Sequence, residues 1–415
     1  MSFQQGLSGL NAASKTLEAI GNNVANSGTV GFKSSQAQFA DVFASSLQGS
    51  AGGSTQVGIG VKVSQVAQAF TQGNITASNS PLDLAINGGG FFRMSTGGSI
   101  AYGRNGQFAL DKNGFVVNAN GARLTGYTAD TNGVLSTGAP GDLNISSADI
   151  PPQITSEVDA VLNLDSNKPP IDSTATPFDM SDPTTYTNAT SVSVFDSLGV
   201  SHVLQTFFVK TGPVAGVPGN GTWDVYGAAD DVALTTPYLG TLTFGTDGAI
   251  VSGSPMSASI PVDSGAATPL TVAIDFAGTT QYGSPFSVSS LKQDGFTSGR
   301  LSGFAVSADG TILGRYTNGQ STTLGQVVLA NFANLSGLQP MGNNLWGETS
   351  DSGPALVSAP NSGSLGVLQS SAVEDSNVDL TAELVNMIVA QRVYQANAQT
   401  IKTQDQVLQT LVNLR

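Results

Sequence analysis

SNVDLTAELVNMIVAQRVYQANAQTIKTQDQVLQTLVNLR, residues 376–415, contains no Gly and no Pro, in a chain that has 50 and 18 of them. Apolar or small residues recur in it at alternating spacings of four and three: Leu380, Leu384, Met387, Tyr394, Ala398, Ile401, Leu408 and Val412. Gln391 and Asp405 are the polar members of the same register. This is a heptad seam, and it predicts one long helix of roughly 60 Å at about 1.5 Å per residue. Ser376 and Asp379 have the spacing of a capping box that starts it. A single apolar stripe is not stable in water, so the helix needs a partner.

The other chain end supplies a candidate. In MSFQQGLSGLNAASKTLEAIGNNVAN, residues 1–26, the same spacing gives Phe3, Leu7, Leu10, Leu17 and Val24, with Ser14 and Gly21 between. Ser2 and Gln5 again have capping-box spacing, and Asn22, Asn23, Asn26 and Gly28 tolerate the left-handed backbone that ends helices. The two seams are expected to form one helical assembly domain, residues 1–28 with 376–415. The C-terminal seam is far longer than the N-terminal one can cover, so its excess calls for other copies of the chain.

Between the helices the pattern has period two. Residues 29–56 read as a connector with Phe32, Phe39 and Phe43 followed by a Gly/Ser tract, and 361–375 as its return. Alternation begins at Val57, Ile59, Val61 and Val63, and Asn-Gly pairs at 105–106, 113–114 and 120–121 signal hairpins. Residues 57–147 with 286–360 are expected to form one discontinuous β domain. The inserted section 148–285 has short Thr/Ser-rich strands and turns at 196–199 and 246–248, the pattern of a sandwich or barrel. The fold class is therefore mainly β with terminal α-helices, its β domains nested one within the other.

The formal net charge of −14 sits almost wholly in that insert, where 14 acidic residues face two basic ones, Lys168 and Lys210. An acidic, solvated middle argues against a nucleic-acid partner. The chain has no Cys, so disulfides and thiolate chemistry are excluded. The start is not a signal peptide, and no apolar run is long enough for membrane insertion.

Catalytic constellations are lacking. His202 is the only histidine and sits in an alternating stretch, the setting of a strand side chain rather than a general base. Asp230–Asp231 lies in a polar loop without the spacing of a calcium loop. Gly88-Gly89-Gly90 follows a strand but precedes Phe91 and Phe92, so it fits a tight turn better than a phosphate loop. No catalytic residue, metal ligand or cofactor is expected.

Four stretches carry a family resemblance. NNVANSGTVGFKSS (22–35), LDLAINGGGFF (82–92) and the helix at 376–414 resemble the N-terminal, internal and C-terminal signatures of bacterial flagellar rod and hook proteins. YTNGQSTTLGQVVLANFANLSGLQPMGNNLW (316–346) is similar to their discontinuous domain. The start MSFQQGLSGLNAA, the long insert and the total length look like the hook-forming members, since rod members are usually shorter. The resemblance implies a non-enzymatic subunit of a curved, flexible tube that transmits torque from rod to filament. It implies a homopolymer whose partners are the rod, the hook-associated junction proteins, the hook cap and the type III export apparatus. It implies an extracellular place in the flagellum, reached without a cleaved signal. A distal rod subunit is the alternative within the family. A secreted adhesin or a polysaccharide-acting enzyme is the alternative outside it, and neither needs terminal heptads.

Overall fold

The computed structural model describes residues 2–42, 58–146, 148–212 and 221–413. Helix α1 spans Ser2–Ala25 and helix α2 spans Leu380–Asn413. The described elements between them are β-strands and one short 3-10 turn. Phe43, the Gly/Ser tract to Gln56 and the strand start at Val57 lie outside the described residues.

The helix ends depart from the capping boxes read in the sequence. Asp379, not Ser376, caps α2: its Oδ1 accepts from the amides of Thr381 and Ala382 at 2.9 and 3.1 Å. At the start of α1 the Gln5 amide donates to the Gly58 carbonyl, so its hydrogen bond goes to the β layer and not back to the helix start. α1 ends without a left-handed residue at its asparagines; Asn26 instead donates to the Asn22 carbonyl through both its backbone and its side chain.

The stretch expected as a connector is partly sheet. β1 (Ser35–Val42) pairs antiparallel with β2 (Gly60–Gln68) in a two-stranded ribbon. Such a ribbon is marginal alone in water. It leans on α1, whose Ser8 hydroxyl accepts from the Val61 amide. The return segment is sheet as well. β3 (Ile75–Ala77) pairs with Ala372–Glu374, and β4 (Leu84–Asn87) pairs with Val367–Ser370. Beyond these ribbons runs a larger sheet. Its central order is Ser321–Val327, Arg123–Thr128, Phe91–Thr96, Ser99–Gly103, Leu345–Gly347 and Gln339–Gly342. Phe91, Tyr102, Phe332 and Trp346 make one aromatic core beneath it.

Many hairpins share one device, an Asp or Asn that accepts amide protons two and four residues ahead, before a Gly. Asp111, Asn118 and Asp130 each do this in one unit and Asp196 in the other. Two of the three Asn-Gly pairs, at 113–114 and 120–121, lie in such hairpins. Asn105-Gly106 does not: Gly106 lies where the chain crosses β4, and a Cβ there would fall 1.7 Å from the Leu84 carbonyl oxygen.

By density of contacts the chain divides into two compact units, Met1–Ser147 with Gly303–Arg315 and Ser321–Arg415, and Ala148–Ser302 with Tyr316–Gln320. The second unit is a sandwich. One sheet has the order Met256–Ile260, Leu270–Asp275, Glu157–Asn163, Ser287–Gln293. The other is a meander of Asn188–Phe195, Ser201–Lys210, Thr222–Ala229, Val232–Phe244 and Ile250–Ser252. Leu162, Phe208, Trp223, Phe244, Val272 and Phe276 fill the space between them, all fully buried. Strand Ser287–Gln293 belongs to this sandwich, so the unit runs past residue 285, where the composition changes. Among the described residues, no helix is long and apolar enough to cross a membrane.

Candidate assembly interface

α1 and α2 pack antiparallel. Asn23 Nδ2 donates to Glu383 Oε1 at 3.2 Å near one end of the pair. Toward the other end, Cβ atoms at Gly9 and Gly6 would lie 2.7 Å from Asn397 Oδ1 and 3.0 Å from Ile401 Cγ1. The buried side of α1 is Gly6, Ala13, Ile20 and Asn23; that of α2 is Ala390, with Glu383, Met387, Asn397 and Ile401 partly buried. Small residues at the contact let the two backbones approach closely, and the larger side chains sit to either side.

This contact lies about one residue, or 100°, from much of the seam read in the sequence. Met387, Ala398 and Ile401 are partly buried, as are Leu10, Leu17 and Val24. Phe3 and Leu7 are exposed at 47% and 45%. Leu380, Leu384, Gln391, Tyr394, Asp405, Leu408 and Val412 are exposed too. Asp405 does not hold register against α1; it accepts from Gln409 one turn along its own helix. Val385, Ile388, Val389, Val393 and Val407, absent from the predicted seam, add to the exposed apolar surface of α2. Since Gly6 faces Ile401, residues 405–413 run past the start of α1. Between α1, α2 and the β1–β2 ribbon lies an open groove of about 770 Å³, lined by Gly9, Ala13, Ile20, Phe39, Val389 and Val393 among others.

Where the two chain ends meet the β layer, the structure buries three charges that the sequence reading passed over. The Glu374 carboxylate receives Lys33 Nζ at 2.7 Å and Arg104 Nη1 at 3.0 Å, with all three side chains almost wholly buried. The amide of Gly73 also donates to it. Lys33 donates further to the Thr71 carbonyl and Arg104 to the Gly88 carbonyl. The Arg104 guanidinium lies 5.5 Å from the Phe91 ring centroid. Burial pulls the Lys33 ammonium below its ordinary pKa against the pull of Glu374, with a smaller push in the same direction from Arg104. Asn377 completes the junction, accepting from the Ser34 amide and donating to the carbonyls of Ala69 and Thr71. Asn23 exchanges two hydrogen bonds with the Ser35 backbone. The available signal was slight, a charge directly after apolar residues: Lys33 in Gly-Phe-Lys, Glu374 after Ala-Val.

Of the residues weighed for chemistry, the Asp230 and Asp231 carboxylates are taken by neighbours, His202 with the Val203 amide and the Gln205 side chain respectively. Gly88–Gly90 is a close backbone crossing, with the Gly366 amide donating to the Gly89 carbonyl.

Both chain ends thus close the β unit and then pair as helices with their large apolar faces outward. Matches to four families run along the chain: flagella basal body rod protein (residues 3–33), flagellar hook protein FlgE/F/G D1 domain (85–160), flagellar basal body protein FlaE D2 domain (163–296) and flagellar basal body rod FlgEFG protein C-terminal (369–414). The flagellar hook proteins FlgE of Escherichia coli K12 and Salmonella typhimurium LT2 are each 44% identical to it over the full length of both chains. The chain belongs to the flagellar hook protein family, a family of structural proteins and not of enzymes. FlgE of Borreliella burgdorferi is 32% identical over all of this chain and 99% of its own. The crystal structure of Helicobacter pylori flagellar hook protein FlgE2 shares the fold at a TM-score of 0.57, covering 72% of this chain and 100% of that one at 13% identity.

Proposed function

We propose that this chain is the structural subunit of a bacterial flagellar hook, polymerising into a curved, flexible tube that carries torque from rod to filament. The observation that carries this reading is the outward apolar face of the terminal helices, Phe3 and Leu7 on α1 and Leu384, Ile388, Leu408 and Val412 on α2. Exposed apolar surface on this scale calls for a partner surface. The groove beside the middle of the helix pair and the apolar residues at its open end are different patches. A contact of one with the other on a second copy is heterologous, and heterologous contacts build open helical polymers instead of closed dimers. The assembly residues are then those of the sequence seam, Phe3 to Val24 and Leu380 to Val412, facing neighbours more than each other.

On this reading residues 1–28 with 376–415 form the assembly domain, 29–56 with 361–375 join it to the β domain, and the acidic insert faces outward. The partners are further copies, the rod, the junction proteins, the hook cap and the export apparatus, and the place is extracellular, in the flagellum. The chain carries no catalytic role. The test is electron microscopy of chains lacking 376–415. Tubes are expected to vanish while the β units stay folded and soluble; normal tubes from the truncated chain would refute the assignment. The full chain is expected to form curved tubes, and straight ones would favour a distal rod subunit.

A further inference from the structure

We propose that His202 is a pH-operated latch that joins three connections at one end of the second unit. Its ring is nearly buried between two carboxylates. Nδ1 lies 2.7 Å from Asp230 Oδ2, in the turn between Thr222–Ala229 and Val232–Phe244. Nε2 lies 3.5 Å from Asp196 Oδ2, in the turn before Ser201–Lys210, and has no hydrogen-bond partner. Asp196 is fully buried, and His202 is the titratable base beside it. Its carboxylate also accepts from the amides of Leu198 and Val200 and from the Ser264 hydroxyl, which belongs to the loop between the strands Met256–Ile260 and Leu270–Asp275. That loop is pinned a second time, by the Ala267 amide donating to Ser197 Oγ.

Two carboxylates facing one ring favour its charged form. A neutral imidazole has one N–H, and a carboxylate facing each ring nitrogen asks for two. With Nδ1–H given to Asp230, an unprotonated Nε2 would turn its lone pair toward the Asp196 oxygen. Only the imidazolium satisfies both sides. The titratable groups facing the ring are Asp230 from one turn and Asp196 from the other. Ser264, from the third connection, is neutral and reaches the ring only through Asp196, and Asp231 is held by Gln205. Burial alone would lower the histidine pKa, but the two carboxylates outweigh it and the net direction is upward.

The sign of the linkage follows. A histidine raised in the folded state contributes its stability fully below its unfolded pKa, about 6.5. That contribution is lost as the pH rises through the folded value. Below this window the turns and the loop are locked together. Above it Asp196 is left buried beside a neutral ring, and this end of the sandwich loosens.

The experiment uses the full chain. As the only histidine, His202 gives a single imidazole resonance, and its NMR titration midpoint is expected above about 6.5. Asp230→Asn removes one carboxylate and is expected to lower that midpoint. Amide exchange at residues 197–200, 230–232 and 264–267 is compared with that of a His202→Gln chain at each pH, which removes the ordinary base catalysis of exchange. The parent is expected to be protected below the midpoint and to converge on His202→Gln above it. The change amounts to about tenfold for each unit the pKa is raised. If His202→Gln does not fold, Asp230→Asn takes its place as the reference. A midpoint at or below 6.5, or exchange that runs parallel to the reference across the titration, overturns the latch.

Discussion

Glu374 receives two cations and a backbone amide in a fully buried place, and each partner comes from a different part of the chain. Removing one member of a buried charged group leaves the rest uncompensated, at a cost of about 3–5 kcal/mol. Glu374→Gln is therefore expected to shift the urea transition of the first unit to clearly lower concentration and leave that of the second unit in place. A two-unit chain calls for two separately read transitions. If neither moves, the buried charges are not what holds the ends. Gly106 makes a second test at this scale. With the Leu84 carbonyl oxygen 1.7 Å from any Cβ, Gly106→Ala must displace β4, at about 3 kcal/mol or more. A chain with Ala at 106 and unaltered thermal unfolding would contradict the crossing. Glu374 was passed over in the sequence, and Gly106 was read only as part of a hairpin signal. A lone Glu, or one more Asn-Gly pair, is uninformative until the fold brings its neighbours to it.

The terminal helices were legible as elements, and the face they share was not. Heptad reading ranks positions by size of apolar side chain, and so it chose Leu7, Leu384 and Leu408. The intramolecular contact is made where side chains are smallest, at Gly6, Gly9, Ala13 and Ala390, because close backbone approach needs little bulk. The large residues read as a stripe in want of a partner, and much of that stripe faces away from the nearest helix. Two outcomes follow at this scale. Leu384→Gln, Ile388→Gln and Leu408→Gln together are expected to leave circular dichroism of the single chain unchanged and to abolish tubes in micrographs; tubes of normal length would show the outward face to be unused. Hydrogen exchange in the single chain is expected to be slow over residues 383–401 and fast over 405–413, where α2 has outrun α1. Uniform protection along α2 would contradict that.

Across the whole molecule the nested order was legible from composition, while the extent of the second unit was not, because pairing and not composition assigns Ser287–Gln293 to its sheet. That unit carries the acidic charge. We expect that negative charge keeps its contacts with neighbouring copies weak and wet, so that they slide as a tube bends. Glu157→Gln, Asp159→Asn and Asp263→Asn change exposed carboxylates that hold no turn. Hooks built from this variant are expected to bend less in micrographs, and equal bending would end the idea.

β3 and β4 lie within the first quarter of the chain, yet their antiparallel partners are Ala372–Glu374 and Val367–Ser370. A ribosome releases these partners long after β3 and β4. A product that stops between residues 105 and 366 then has two unpaired strand edges, two cations without the Glu374 carboxylate, and no second helix for α1. Such fragments are left open to proteolysis and cannot present the paired ends that a growing polymer would receive. The topology thus makes closure of the first unit wait for residues 367–374.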